Sequence, residues 1–200
     1  MPETLHIDLL RHGETAAGRR FCGSTDTPLT TSGWEQMWSA VEAHAARWDR
    51  IVSSPLTRCA AFAHALAQRL HVPYTLDARL GEMHFGLWEG RSAAEIMADD
   101  GAALDRFWND PLQCTPPGAE RLAHFAARVQ SAWNELASGT AGERVLAITH
   151  AGVMRILLCH LRQVPLERSL EFELTLAQWL GVRIAHGRAH LCSEAGAGTA

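Results

Sequence analysis

Three short segments of this chain carry residue types that could act together on an anion. The first is Ile7-Asp8-Leu9-Leu10-Arg11-His12-Gly13-Glu14-Thr15, where an apolar run delivers a guanidinium and an imidazole side by side. The second is Ser53-Ser54-Pro55-Leu56-Thr57-Arg58, and the third is the apolar run Val145 to Thr149, which ends at His150. Each has an ordinary explanation when taken singly. Arg11-His12 could be two solvated residues closing a strand, Arg58 a solvated helix residue, and His150 a turn cap. Together they supply two imidazoles and two guanidiniums, a set that suits phosphoryl transfer. Arginine forks match phosphate oxygens with paired hydrogen bonds. A neutral imidazole is nucleophilic near neutral pH and can hold a transferred group covalently, which predicts a phosphohistidine. A poor leaving group also needs a proton donor near the pocket, either a carboxylic acid or another imidazole.

Convergence depends on the elements that carry these residues. Apolar strand patterns at Ile7 to Leu10, Arg50 to Ser53, Val72 to Leu76 and Arg144 to Thr149 alternate with helical patterns at 34–48, 56–70 and 153–161. This alternation predicts an α/β/α three-layer domain with a mainly parallel central sheet. In such a sheet the strand exits share one edge, where open α/β folds bind ligands, so Arg11-His12, Arg58 and His150 fall in one crevice. Ser32-x-x-Glu35 has the form of a capping box for the first helix, with Trp34, Met37, Trp38, Val41, Ala45 and Trp48 on its core face. Pro55 suits the first turn of the second helix. The middle, near Ala93 to Trp108 and Leu122 to Leu136, is interrupted by Asp110-Pro111 and Pro116-Pro117-Gly118 and reads as a cap-like insertion, about 83–128, within a single 1–200 domain. The run from Leu170 to Cys192 carries two or three strand-like segments, and Glu194 to Ala200 reads as a frayed tail.

Composition narrows the class. A chain of 200 residues with 47% hydrophobic and 20% charged residues is an ordinary globular one. A formal net charge of −4 gives no basic field for nucleic acid or an anionic membrane, so any anion site is local. No run of about 18 apolar residues and no basic leader followed by an apolar stretch occurs, which predicts a soluble, cytoplasmic protein. Cys22, Cys59, Cys114, Cys159 and Cys192 are odd in number, scattered and without a Cys-x-x-Cys pair, so they read as reduced thiols.

The residues resemble the histidine phosphatase superfamily, the phosphoglycerate mutase-like proteins. Four ordered blocks carry the resemblance: Leu9-Leu10-Arg11-His12-Gly13-Glu14-Thr15, Ser53-Ser54-Pro55-Leu56-x-Arg58, Leu80-x-Glu82-x-x-x-Gly86-x-Trp88-Glu89-Gly90, and Thr149-His150-Ala151-Gly152. It implies that His12 is the nucleophile, that Arg11, Arg58 and His150 form the phosphate pocket, and that Glu82 is the acid that protonates the leaving oxygen and then the base for water. Apolar Phe85 and Trp88 suit a raised proton affinity at Glu82. Glu14 and Glu89 are rival acids. Thr15, Gly18, Cys22 and Gly23 are expected to line the phosphate. Gly18 departs from the family's pattern, which commonly has Asn there, and its backbone N–H or Arg19 could substitute.

The block Glu82-Met83-His84-Phe85-Gly86 lacks the Arg that mutases use for the carboxylate of phosphoglycerate, which argues for a phosphatase. Together with Gly23-Ser24-Thr25-Asp26-Thr27-Pro28-Leu29-Thr30, Phe107-Trp108-Asn109-Asp110-Pro111 and Pro117-Gly118-Ala119-Glu120, it resembles the α-ribazole phosphatase branch, where Gly-Gly-Glu usually stands for Gly118-Ala119-Glu120. That resemblance implies α-ribazole 5′-phosphate as substrate, in cobalamin biosynthesis. The alternatives are a broad-specificity or sugar-phosphate phosphatase, a phosphoglycerate mutase, or a silent phospholigand-binding module. The expected partner is a small phosphorylated metabolite, with no cofactor, no metal, no nucleic acid and no membrane; a homodimer is permitted. A metal hydrolase built on His186-x-x-x-His190 is disfavoured, because the pair lies in a strand region with no carboxylate block.

Overall fold

The structure, a computed structural model, describes residues 4–44 and 47–195. Six strands form one sheet: β1 (Leu5–Arg11), β2 (Arg50–Ser53), β3 (Tyr74–Leu76), β4 (Arg144–Thr149), β5 (Trp179–Ala185) and β6 (Arg188–Ala195), in the order β3-β2-β4-β1-β5-β6. β1, β2, β3 and β4 pair in parallel, while β5 runs antiparallel to β1 and β6 to β5. The expected mainly parallel α/β sheet is present.

Strand alternation explains the layers. Ile7, Leu9, Val52, Val145, Ala147, Leu180 and Val182 point to one face, where they join α4 (Leu122–Ala137) and α5 (Ala151–Arg162) in one apolar cluster. Leu10, Ile51, Leu146, Ile148 and Trp179 point to the other, against Met37 and Val41 of α1 (Thr31–His44) and Phe62 and Leu66 of α2 (Thr57–Leu70). Strands buried on both faces need near-continuous apolar runs, and β4, Arg-Val-Leu-Ala-Ile-Thr, is one. Truncating a side chain such as Leu9, which is fully buried, to Ala costs roughly 2–5 kcal/mol. α3 (Ala93–Asn109) places Ile96, Leu104 and Phe107 in the first cluster and is kinked at Asp100, whose φ and ψ are −149° and 68°.

Several local expectations change. The cap of α1 is Thr30, whose Oγ1 accepts from Gly33 N at 2.9 Å while donating to Glu14 Oε2 at 2.7 Å. This tie to the β1 exit starts the helix ahead of Ser32. The capping box occurs instead at Ser92 and Glu95 of α3. α1 ends at His44, and Ala45 lies outside the described residues. Trp48 is buried beyond that helix, held by its indole N–H donating to Asp8 Oδ2 at 2.8 Å. Pro55 precedes the first residue of α2 by two positions, and Leu56 is the cap. Glu194 and Ala195 are not frayed: they pair with Leu180 and Trp179, and residues 196–200 lie outside the described residues. Among the described residues no helix is long and apolar enough to cross a membrane.

Candidate active site

The carboxyl ends of β1, β2 and β4 do share one edge. His12 follows β1, with its backbone N–H donating to Thr149 O at 3.0 Å, so the end of β4 fixes the residue's position. Its ring Nδ1 lies 2.8 Å from Gly13 O. A carbonyl can only accept, so Nδ1 carries the hydrogen and Nε2 keeps its lone pair. Burial first, then the Arg11 charge, lowers the pKa of His12 to about 3, against the weaker raising effect of the Gly13 bond. The imidazole is therefore neutral near pH 7, with Nε2 as its nucleophilic atom.

Arg11 is anchored by Nη1 donating to Leu174 O, and its buried Nε has no hydrogen-bond partner among the described residues. A buried guanidinium N–H left unpaired is costly unless a ligand completes it, which marks an acceptor position. Burial lowers the pKa of Arg11, and the nearby Glu82 charge opposes that effect.

His150 is fully buried, with its ring centroid 5.2 Å from that of His12 in an edge-on arrangement. Arg58 Nε donates to its Nδ1 at 3.2 Å, which leaves the hydrogen on Nε2 to donate to Ser54 Oγ at 2.7 Å. Burial, then the His12 and Arg58 charges, push its pKa well below the ordinary 6.5. His150 is thus neutral, with both nitrogens engaged. Arg58, also buried, donates further to Thr25 O at 3.0 Å, Cys22 O at 2.8 Å and Gly23 O at 2.9 Å.

The 22–25 loop is held from its other side by Glu89. That carboxylate accepts from the backbone N–H groups of Gly23, Ser24, Thr25 and Phe85 and from the Thr25 hydroxyl. Burial alone would raise the Glu89 pKa, but these donors outweigh it and the net shift is downward. A carboxylate held ionised by five donors is a poor proton donor, so Glu89 loses its claim as the acid. Gly23 permits the approach: a Cβ there would sit 1.9 Å from Met83 O.

Glu82 lies at the amino terminus of α5. Its Oε2 accepts from Gly152 N at 3.0 Å and its Oε1 from Met83 N at 3.0 Å. The backbone of this turn is fixed by Arg128 of α4, which donates to Arg79 O and Gly81 O at 2.8 Å and to Glu82 O at 2.9 Å. Arg128 also makes a two-pronged pair with Glu120 at 2.8 Å. Beside Glu82 opens a cavity of about 230 Å³, walled mainly by aromatic and aliphatic side chains, to which Arg155 contributes.

The structure brings Arg11, His12, Arg58, Glu82 and His150 to one sheet edge. It gives the remaining expected residues other tasks. Cys22 and Gly23 offer carbonyls to Arg58, and the Gly23 N–H is taken by Glu89. Thr15 bridges Leu29. Gly18 is exposed at φ 65°, with its N–H donating to Thr15 O at 3.0 Å, so that N–H is not available to replace the missing Asn. Glu14 receives the Thr30 hydroxyl. Phe85 lines the cavity with Glu82, whereas Trp88 packs on Phe21 and Phe107. Sequence reasoning quoted Ser54 and Glu120 within motifs without giving them a role, and it missed Arg128 and Arg155. The one available signal for Arg155 was its spacing of three from Gly152, which puts both on one helix face. His186 and His190 are exposed on the terminal hairpin, and among the described residues no group of three or more His, Cys, Asp or Glu could hold a metal ion.

Known proteins place this geometry in a family. The chain is 28% identical over 183 residues to the adenosylcobalamin/alpha-ribazole phosphatase of Escherichia coli (strain K12), covering 90% of each. It is 36% identical over 170 residues to the glucosyl-3-phosphoglycerate phosphatase of Mycolicibacterium vanbaalenii, covering 80% of this chain and 75% of that enzyme. The crystal structure of the alpha-ribazole phosphatase from Shigella flexneri superposes with a TM-score of 0.85 at 27% identity, covering 96% of both chains. The family model of the histidine phosphatase superfamily (branch 1) matches residues 7–194, and the chain belongs to that superfamily.

Proposed function

We propose that this chain is a phosphomonoesterase that works through a phosphohistidine at His12, with α-ribazole 5′-phosphate as its preferred substrate. The observation that carries the mechanism is the pairing of a lone pair on His12 Nε2 with an unpartnered, buried Arg11 Nε on the same strand exit. Arg11 and the remaining N–H of Arg58 receive the phosphate oxygens, and neutral His150 donates as its bond to Ser54 exchanges. His12 Nε2 attacks phosphorus as the bond to the leaving oxygen breaks, and protonated Glu82 gives that oxygen its proton. Glu82, now a carboxylate, takes a proton from water; the water oxygen attacks phosphorus, and the nitrogen–phosphorus bond breaks to release phosphate and free His12. Residues 83–128 serve as the cap over the leaving-group side.

The substrate assignment is supported by the form of the block Glu82-Met83-x-Phe85-Gly86-x-Trp88-Glu89 and by relatives named as alpha-ribazole phosphatases. A sugar-phosphate substrate is the second reading, favoured by the higher identity to the glucosyl-3-phosphoglycerate phosphatase. Comparing kcat/KM for α-ribazole 5′-phosphate, glucosyl-3-phosphoglycerate and 3-phosphoglycerate decides between them. The first should lead by tenfold or more. A flat profile, or a lead by another ester, overturns the cobalamin assignment and leaves the phosphatase standing.

A further inference from the structure

The cavity beside Glu82 is walled mainly by apolar side chains, with Arg155, Ser169 and Glu82 itself as its polar members. Phe85, Phe107, Trp108 and Phe125 present aromatic surface, and Arg155 adds a guanidinium beside Gly152, the residue whose N–H holds Glu82. Arg155 Nε donates to Phe172 O at 3.0 Å, which fixes the plane of the group. Neither terminal nitrogen makes a hydrogen bond to any described residue, although the residue is half-buried. Arg128, by contrast, has all three guanidinium nitrogens taken by carbonyls and a carboxylate. An oriented guanidinium with two idle nitrogens, set in an aromatic wall beside the proton donor, is a binding element.

We propose that Arg155 is a specificity-determining residue, which donates to an acceptor oxygen carried by a leaving group whose planar apolar body fills the cavity. The inference rests on the phosphatase reading and adds to it the place and chemistry of the leaving-group subsite. Two sources of that oxygen share the chemistry, a hydroxyl such as those of a ribose and a carboxylate. The Glu82 charge bears on Arg155, so protonating Glu82 to act as the acid removes a negative charge that favours this guanidinium.

The test is a ratio of kcat/KM values measured on one protein preparation. 4-Carboxyphenyl phosphate and α-ribazole 5′-phosphate each carry acceptor oxygens, and 1-naphthyl phosphate carries none beyond its ester. Arg155→Met keeps apolar bulk and should lower the ratio of either oxygen-bearing ester to 1-naphthyl phosphate by tenfold or more. The arm with the larger fall identifies carboxylate or hydroxyl as the group read. Trp108 is 45% exposed, so Trp108→Ala keeps the fold and should lower the ratio of 1-naphthyl phosphate to glycerol phosphate severalfold. Equal losses across all esters in Arg155→Met, or no loss, overturn the assignment of Arg155. A wild-type chain inert toward every ester overturns instead the phosphatase reading on which it rests.

Discussion

Replacing Gly152 with Ala perturbs the proton donor and little else. A Cβ at position 152 would stand 2.1 Å from Glu82 Oε1, 3.0 Å from its Cδ and 3.2 Å from the Phe125 ring. Ordinary contact begins at 3.4 Å, so the carboxylate must withdraw by about 1.3 Å, and displacing a positioned group by about 1 Å costs about 100-fold in rate. General acid catalysis as a whole contributes roughly 10²–10⁴-fold, so a loss of about 100-fold in kcat/KM fits within it. The atom that must yield is the end of a flexible side chain, and Gly152 lies in the first turn of α5, where Ala is the better helix former. The assay compares an alkyl phosphate, whose oxygen needs the proton, with 4-nitrophenyl phosphate, whose leaving group departs unprotonated. The alkyl ester should lose about 100-fold and the nitrophenyl ester less than about fivefold, with the thermal midpoint held or raised. Equal losses on both esters, or none, refute the placement of Glu82 as the acid.

Glu89→Gln replaces an acceptor of five bonds by a group that must turn N–H donors against N–H donors. Stability should fall by about 1–3 kcal/mol in urea titration, and the alkyl-to-nitrophenyl ratio should stay at its wild-type value, whereas a selective alkyl loss matching Glu82→Gln would restore Glu89 as the acid. Arg128→Met frees the carbonyls of Arg79, Gly81 and Glu82 and leaves Glu120 unpaired. It should lower kcat about tenfold with KM within about twofold; a change confined to KM contradicts a role in holding the acid's backbone. The pKa of His12 is about 3 folded and 6.5 unfolded, so below pH 6.5 the unfolded chain binds more protons. The contribution of His12 to stability is therefore complete above pH 6.5 and is lost as pH falls toward 3. The thermal midpoint of wild type should fall relative to that of His12→Asn between pH 6.5 and 4, and parallel curves would contradict the shift.

The phosphate corner was legible in the sequence because it depends on strand exits. Apolar runs with Arg11-His12, Ser54-x-x-x-Arg58 and His150 at their ends need only a parallel sheet to converge. Glu82 was reached through family resemblance alone, since no periodicity marks a carboxylate in an irregular turn. What stayed hidden depends on distant partners. Glu89 reads as an acid until the 23–25 loop, some 65 residues away, is seen to close on it. Thr30 displaced Ser32 as the helix cap because Glu14 anchors its hydroxyl, and Cys22 and Gly23 serve Arg58 through carbonyls that carry no side-chain signature.

The central claim is covalent attachment of phosphate to His12. Rapid quenching of a single turnover into base, followed by peptide mass spectrometry, reads it directly because phosphohistidine survives alkali. The expected result is one phosphoryl group on the peptide containing His12, appearing before free phosphate and absent from His12→Ala, which should also be inactive. Turnover without that adduct, an adduct on another residue, or a His12→Ala variant as active as wild type would contradict the account.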